Sequence, residues 1–116
     1  MITLHGIPNC DTCRKASKWF ATQGIDYQFF DLRRDGLDVA TVEAWLREIG
    51  SDKLINRRGT TWRGLTDDEK ARAESNDAAV FLVANPTLLK RPIIDIGKCR
   101  LVGFDAHVTS VLERSS

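Results

Sequence analysis

The chain has 116 residues, which is enough for one domain with a real core but not for two. Its net charge is only +1, so the charge gives no reason to expect nucleic acid or a membrane surface as a partner. The three cysteines lack the spacing of a disulfide scaffold, and no apolar run is long enough to span a bilayer. We therefore expect a cytoplasmic monomer without a signal peptide, in a compartment where a cysteine pair is more often catalytic or redox-sensing than structural.

The first twenty residues carry the strongest chemical signal. Ile2–His5 is predicted to form a short buried strand, residues 6–9 a turn, and Asn9 the N-cap of a helix. Cys10 then falls in the first turn of this helix, where unpaired backbone N–H groups and the helix dipole favour the thiolate. Cys13 lies three residues later on the same face, within bonding reach. A strand, a turn and Cys-x-x-Cys at a helix start predict a redox site.

Two other interpretations of the cysteine pair stay open. It could be half of a zinc site, but the chain has no second Cys-x-x-Cys, and Cys99, His5 and His107 make a poor set of further ligands. Cys13 could also be a small buried residue that only packs against its neighbours.

A second strand and a helical middle section follow. Tyr27–Asp31 is predicted to be a strand parallel to the first, which completes a βαβ unit. Asp38 is predicted to cap a helix, and two later helices are predicted to begin at Thr66 and Asp77. We expect this helical insertion to cover residues 38–89 approximately.

Within the insertion, Asn56–Arg63 is the only predicted loop that is rich in arginine, hydroxyl groups and glycine together. It could be a solvated turn. It could also be an anion-binding loop, in which the guanidinium groups of Arg57 and Arg58 hold an oxyanion or a carboxylate. The residues alone leave both interpretations open.

The C-terminal part is predicted to form a hairpin and a helix. Pro92–Ile96 and Cys99–Val102 are two strands joined by Gly97 and Lys98, a connection that suits a type II′ turn between antiparallel strands. Cys99 is expected to be a packed thiol in mid-strand. Asp105 can cap the last helix.

The order βα–β–helices–ββ–α, with Cys-x-x-Cys after the first strand and Pro92 opening the third, resembles a thioredoxin-like fold. The chain also resembles the arsenate-reductase-like (ArsC) family, and within it a YffB-type branch of proposed glutathione-dependent thiol reductases. The segments that carry this resemblance are Ile7–Cys10 with Arg14–Ala16, Leu54–Leu65, Asn85–Pro86, Lys90–Ile93 and Leu101–Phe104. It implies one α/β domain over residues 1–116, with a mixed four-stranded sheet and the helical insertion between the βαβ unit and a C-terminal ββα unit.

The resemblance also implies a site. Cys10 aligns with the family's catalytic cysteine, and Pro92 aligns with a proline that is cis in thioredoxin-like folds. Arg91 aligns with an arginine that binds the substrate anion, and either Asn56 or Arg57 aligns with the second anion-binding position. The residues implied to contact an anionic substrate are Asn9, Asn56, Arg57, Arg58, Arg91 and Pro92.

The implied function is a thiol-dependent reductase with a small anionic or disulfide substrate. Cys10 would attack the substrate or a glutathione-mixed disulfide, and Cys13 would resolve the intermediate. Glutathione is implied as a co-substrate rather than a bound cofactor, with a glutaredoxin- or thioredoxin-type protein as a further thiol partner. No metal is implied.

The same family offers two alternatives. The Spx-type transcription regulators carry Cys-x-x-Cys followed by Arg-Lys-Ala, as this chain does, which implies a Cys10–Cys13 redox switch that binds RNA polymerase. The true arsenate reductases carry a third arginine in the last strand, where this chain has Gly103. This difference weakens arsenate as the substrate.

Overall fold

The structure is a computed structural model that describes residues 2–115. In chain order its elements are β1 (Ile2–Gly6), α1 (Asp11–Gln23), β2 (Tyr27–Asp31), α2 (Val39–Ile49), α3 (Ser51–Leu54), α4 (Thr60–Arg63), α5 (Asp67–Ala73), α6 (Ala78–Ala84), a 3-10 helix (Pro86–Leu88), β3 (Ile93–Asp95), β4 (Arg100–Val102) and α7 (Ala106–Ser115). Two units can be distinguished. The first contains the described residues up to Asp35 and from Arg91 onward, and the second is Gly36–Lys90.

The first unit is built on a mixed four-stranded sheet with the strand order β2-β1-β3-β4. Strands β1 and β2 are parallel, with Ile2 opposite Tyr27 and Gly6 opposite Asp31. Strand β3 is antiparallel to both of its neighbours, β1 and β4. The predicted βαβ unit, mixed sheet and C-terminal hairpin are therefore confirmed, and the fold is thioredoxin-like.

The core of this unit forms where α1 and α7 pack on the sheet. Each element contributes two side chains with at most 2% of their surface exposed: Leu4 and Ile94 from the sheet, Ala16 and Phe20 from α1, and Val108 and Leu112 from α7. The spacing of four residues within each helix places both side chains on one stripe. Helix α1 ends at Gly24, as expected for a residue with φ 67°.

The C-terminal hairpin is shorter than predicted. Pro92 lies before β3 because a proline nitrogen has no hydrogen to donate to the ladder. Ile96 and Cys99 belong to the turn, where the Ile96 N–H donates to the Cys99 carbonyl (3.0 Å) and Gly97 has φ 92°. Cys99 therefore lies in the turn and is partly exposed, so its predicted mid-strand position is wrong.

The second unit is helical, as predicted for the insertion. Asp38 caps α2 by accepting a hydrogen bond from the Thr41 N–H (2.7 Å), and Thr66 and Glu69 form the predicted capping box at the start of α5. Helix α6 packs against α2 and α5, and Trp45 is only 3% exposed. That the whole chain is a single domain stays a prediction.

Three elements of this unit, α3, α4 and the 3-10 helix, were not predicted. The second half of the predicted loop at residues 56–63 is a turn of helix, α4, in which the Arg63 N–H donates to the Gly59 carbonyl (3.2 Å). The two β-branched threonines at its start are poor helix formers, so local propensity gives no sign of it. Within residues 2–115, no helix combines the length and the apolar character needed to cross a bilayer.

His5 is a buried titratable group in β1, where it lies opposite Ile93 of β3. Its side chain is 8% exposed, its Nδ1 lies 3.1 Å from the Ile93 carbonyl oxygen, and its ring lies 5.1 Å from that of Phe30. Burial lowers the pKa of His5, and this effect exceeds the opposing effects of the hydrogen bond to Ile93 and the charge of Asp95. His5 is therefore a packed neutral imidazole whose Nδ1–H donates to Ile93.

We expect the free energy of unfolding to fall between about pH 7.5 and about pH 5, because the unfolded chain takes up a proton at His5 before the folded chain does. The contribution of neutral His5 is complete above the unfolded pKa of ~6.5 and is lost as the pH falls toward the lower folded pKa. A His5→Asn variant, whose amide can still donate to Ile93, should lose less stability over this range. Urea unfolding followed by tryptophan fluorescence measures the change.

The matched control is His107→Asn, since His107 lies exposed on α7. It should keep the parental pH dependence. If His5→Asn kept that dependence as well, another group would be responsible for it.

Candidate active site

Cys10 is the N-cap of α1, not a residue of its first turn. The backbone of Cys10 is extended (φ −111°, ψ 123°), helical geometry begins at Asp11, and the Cys10 carbonyl accepts the first helical hydrogen bond, from the Arg14 N–H (2.9 Å). The prediction that Asn9 caps this helix is therefore wrong. Pro8 and Asn9 form the turn after β1, and Asn9 is exposed, so the helix starts one residue later than predicted.

The surroundings of the Cys10 sulfur favour its thiolate. Partial burial raises the pKa of Cys10, but four hydrogen-bond donors lower it further, so that it lies below its ordinary value. These donors are the N–H and the thiol of Cys13, the guanidinium of Arg91 and the N–H of Thr12. The two N–H groups lower the pKa of Cys10 without the close geometry of a side-chain capping hydrogen bond, which the sulfur does not form. The sulfur still takes the place of a capping serine or asparagine oxygen, facing the N–H groups of the first turn.

The pKa of Cys13 is shifted in the opposite direction, upward. Its side chain is 1% exposed, and burial is the main reason that its pKa rises to about 11. The Cys10 sulfur, which accepts from the Cys13 thiol, raises this pKa further. The Ile7 N–H and the charge of Arg91 only partly oppose the rise. At neutral pH Cys13 is therefore a thiol that donates to Cys10.

Arg91 and Pro92 reach the site from the start of β3. The peptide bond between them is cis, as the family resemblance implied for Pro92. The Pro92 carbonyl accepts a hydrogen bond from the Gly103 N–H (2.8 Å), which ties this turn to the end of β4. The structure thus brings together three of the predicted site residues, because Cys13 and Arg91 both act on the Cys10 sulfur.

Three further predicted anion-binding residues, Asn56, Arg57 and Arg58, lie in the second unit, where Arg57 already has partners. Its guanidinium forms ion pairs with Glu74 and with Asp52 (3.5 Å), donates to the Ser51 carbonyl (3.4 Å) and lies 5.4 Å from the centre of the Trp62 ring. These contacts link α3, α4 and the region after α5. A substrate anion at Arg57 would have to compete with two carboxylates.

Asn56 and Arg58 shape the same loop. The Asn56 side-chain oxygen accepts a hydrogen bond from the Arg58 N–H (3.3 Å), and the Arg58 side chain is exposed. Arg58, Arg57 and Lys90 line a polar surface pocket of about 430 Å³, to which Asp52 also contributes. Anion binding by Asn56, Arg57 and Arg58 stays a prediction, as it does for Asn9.

Sequence reasoning missed the role of the Thr12 N–H. The signal was available: once Cys10 is taken as the cap, Thr12 and Cys13 occupy the second and third helical positions, whose N–H groups face the cap side chain.

No group of three His, Cys, Asp or Glu side chains in the described part of the chain is arranged to hold a metal ion. A pocket of about 470 Å³ between α1 and the start of α7 is lined by Trp19 and Phe104 and contains none of the predicted site residues.

The model of the ArsC family matches residues 5–110 of this chain. The chain belongs to the ArsC family. A similar solved structure is that of a YffB protein, with a TM-score of 0.85 and 33% identity over 96% of this chain and 97% of the other. This finding confirms the resemblance to the YffB-type branch of the ArsC family.

Two curated relatives are similar to this chain over most of its length. An uncharacterized protein of Haemophilus influenzae is 44% identical over 105 residues, which are 90% of this chain and 92% of that protein. The global transcriptional regulator Spx of Staphylococcus saprophyticus is 33% identical over 107 residues, which are 90% of this chain and 81% of the regulator.

We predict that Cys10 is alkylated with a pH midpoint below ~8.5, the value of a free thiol. Replacement of Arg91 by Ala removes a cationic donor to the sulfur and should raise the midpoint. Arg91→Lys should restore part of the difference, because an ammonium keeps the charge but not the planar fork. The measurement is the rate of iodoacetamide modification against pH in a Cys99→Ser background, with the modified peptide identified by mass spectrometry.

Cys13 is kept as cysteine in this experiment because its thiol is one of the donors to Cys10. Arg33→Ala, at an exposed arginine in the turn after β2, is the matched control and should leave the midpoint unchanged. A parental midpoint at or above that of a free thiol would remove the case for Cys10 as a nucleophile.

Proposed function

We propose that this protein is a thiol-dependent reductase that removes glutathione from small mixed disulfides. The observation that carries the proposal is the set of four donors around the Cys10 sulfur, which lowers the pKa of Cys10 and so favours its thiolate. A thiolate, not a thiol, attacks disulfides. Membership in the ArsC family supports a reductase of this general kind.

The proposed reaction has two exchanges. The Cys10 thiolate attacks the glutathione sulfur of a mixed disulfide, forming a Cys10–glutathione disulfide and releasing the substrate thiolate, which takes a proton from water. The thiolate of a second glutathione then attacks the glutathione sulfur of this intermediate, releasing oxidised glutathione and the Cys10 thiolate. Each cycle consumes one free glutathione, whose thiolate replaces the substrate thiolate as the partner of the glutathionyl sulfur, and the enzyme is unchanged.

Arg91 gives a reason for glutathione as the co-substrate. Glutathione carries two carboxylates, and charge-assisted contacts from arginine are among the strongest hydrogen bonds available to them. Once Cys10 is in a mixed disulfide, its sulfur is no longer charged. The positive charge of Arg91 then attracts a glutathione carboxylate instead. We include Asn9 as a further contact for such an anion, and a glutaredoxin- or thioredoxin-type protein as an alternative reductant. Anion binding by Asn56, Arg57 and Arg58 is a separate proposal for the second unit.

The second candidate is a redox switch. Relatives described as the global transcriptional regulator Spx are 30–33% identical to this chain, and this chain has two free cysteines three residues apart at its candidate site. In this candidate a Cys10–Cys13 disulfide changes a surface that binds RNA polymerase. The state of Cys13 argues for the reductase instead, because a buried thiol with a pKa of about 11 forms a disulfide slowly at neutral pH.

We predict that the protein reduces the mixed disulfide of β-mercaptoethanol and glutathione at the expense of glutathione. The oxidised glutathione that forms is measured with glutathione reductase in a coupled assay. Cys10→Ser should abolish this reduction. Arg91→Ala should lower kcat/KM roughly tenfold to a hundredfold, the loss expected for one charge-assisted contact. Arg91→Lys should recover part of this loss, and Arg33→Ala should match the parent.

The switch predicts a different outcome from the same variants. Glutathione kinetics would then be slow and insensitive to Arg91→Ala, and purified RNA polymerase would be retained in a manner that depends on oxidation of Cys10 and Cys13. That combination would contradict the reductase and favour the switch.

We also predict that arsenate is a poor substrate. A doubly charged oxyanion needs several fixed donors, and Gly103, at the position of the third arginine of arsenate reductases, offers none. Gly103 follows β4 with φ 80°, a conformation that costs a residue with a side chain about 1–2 kcal/mol. Gly103→Arg should therefore lower stability and raise arsenate reduction at most modestly. Arsenite formation with glutathione and glutaredoxin measures the activity, and robust turnover by the parent would move the assignment to arsenate reductase.

A further inference from the structure

The Cys13 sulfur lies against the backbone of Gly6, where there is no room for a side chain. A Cβ added to Gly6 would lie 2.5 Å from Cys13 Sγ and 3.3 Å from a methyl carbon of Leu4. Non-bonded heavy atoms are normally in contact at roughly 3.5–4.0 Å. The sulfur thus occupies the space that a side chain at position 6 would fill.

The Gly6 backbone is held from the other side. Gly6 is the last residue of β1, it lies opposite Asp31 of β2, and its carbonyl accepts a hydrogen bond from the Leu32 N–H (2.9 Å). The next N–H, that of Ile7, donates to the Cys13 sulfur. We call Gly6 and Ile7 the sulfur seat, because their backbone bounds and binds this one sulfur atom.

We propose that the sulfur seat holds Cys13 as a hydrogen-bond donor to Cys10, so that Gly6, Ile7 and Cys13 are positioning residues for the reacting thiolate and Cys13 does not resolve the intermediate. The inference rests on the proposed function, in which Cys10 is the reacting thiol. It differs from the role implied by the family resemblance, in which Cys13 resolves the mixed disulfide.

The burial of Cys13 in the seat opposes a resolving role. To attack a mixed disulfide at Cys10, the Cys13 sulfur would have to lose its proton where its side chain is 1% exposed. Burial, which raises the pKa of Cys13 to about 11, disfavours that deprotonation. When a second glutathione thiolate instead attacks the glutathione sulfur, Cys10 leaves as a thiolate into the donors already in place. Cys13 then neither gains nor loses electrons in the cycle.

The first test is Gly6→Ala. Because the backbone at position 6 is held, the added Cβ should turn the Cys13 sulfur to another rotamer and remove its hydrogen bond to Cys10. We expect the rate of Cys10 alkylation at about pH 7 to fall by about tenfold, the loss of one hydrogen bond to a charged atom. Gly64→Ala is the matched control and should leave the rate unchanged. Gly64 has a helical backbone conformation, and a Cβ added there would lie 3.4 Å from its nearest neighbour, the Thr60 carbonyl oxygen.

A double-mutant cycle separates this effect from a general disturbance of the fold. In Cys13→Ala the donor is already absent and the space beside Gly6 is vacant, so adding Gly6→Ala should lower the alkylation rate no further. An equal fall in both backgrounds would overturn the inference. If Gly6→Ala does not fold, Cys13→Ser against Cys13→Ala carries the test, because a serine hydroxyl should recover part of the rate that alanine loses.

Turnover with excess glutathione tests the fate of the intermediate. Both Cys13 variants should slow the reduction of the mixed disulfide, alanine more than serine, and in neither should the Cys10–glutathione disulfide accumulate in mass spectra. Accumulation in Cys13→Ser would assign Cys13 as the resolving residue and overturn the inference. A parental Cys10 no more reactive than a free thiol would contradict the proposed function itself, whereas a reactive Cys10 unaffected by Gly6→Ala would overturn only the role of the seat.

Discussion

The position of the Cys10 sulfur at the cap of α1 is the constraint on which the rest of the site depends. A cap side chain faces the unpaired N–H groups of the first turn, so the sulfur gains two backbone donors and the positive end of the helix dipole together. A position one residue further into the helix would direct the side chain away from these groups. The turn formed by Pro8 and Asn9 therefore decides, by its length, which residue becomes the nucleophile.

The order and direction of the strands place the guanidinium of Arg91 beside the Cys10 sulfur. Because β3 is antiparallel to β1, with Ile93 opposite His5, the start of β3 lies beside the end of β1. Arg91 and Pro92 immediately precede β3 and so reach the cap of α1 from a distant part of the sequence. A parallel β3 would start at the other end of β1, away from the cap of α1. The antiparallel direction of β3, which is part of the fold, thus also brings Arg91 and Pro92 to the site.

The sequence predicted what local signals specify and missed what depends on contacts between distant segments. Strand β2, the cap at Asp38 and the capping box at Thr66 follow from short patterns and were confirmed. Asn9 was wrongly favoured as a cap because intrinsic preference cannot choose between adjacent residues when a tight turn sets the helix start. The ion pairs of Arg57 could not be predicted, because Glu74 is seventeen residues away in the chain. The contact between Gly6 and the Cys13 sulfur likewise depends on how a strand end packs against a helix.

The pKa values of the two cysteines are shifted in opposite directions, and one contact links the two shifts. A hydrogen bond from the Cys13 thiol to the Cys10 sulfur lowers the pKa of Cys10 and raises that of Cys13. A disulfide switch needs the second sulfur to become a thiolate in its turn, so the contact that activates Cys10 slows closure of the disulfide. An external thiol bypasses this difficulty, because it brings its own thiolate to the exposed side of the intermediate. The arrangement that makes Cys10 reactive therefore favours a cycle completed by a separate thiol.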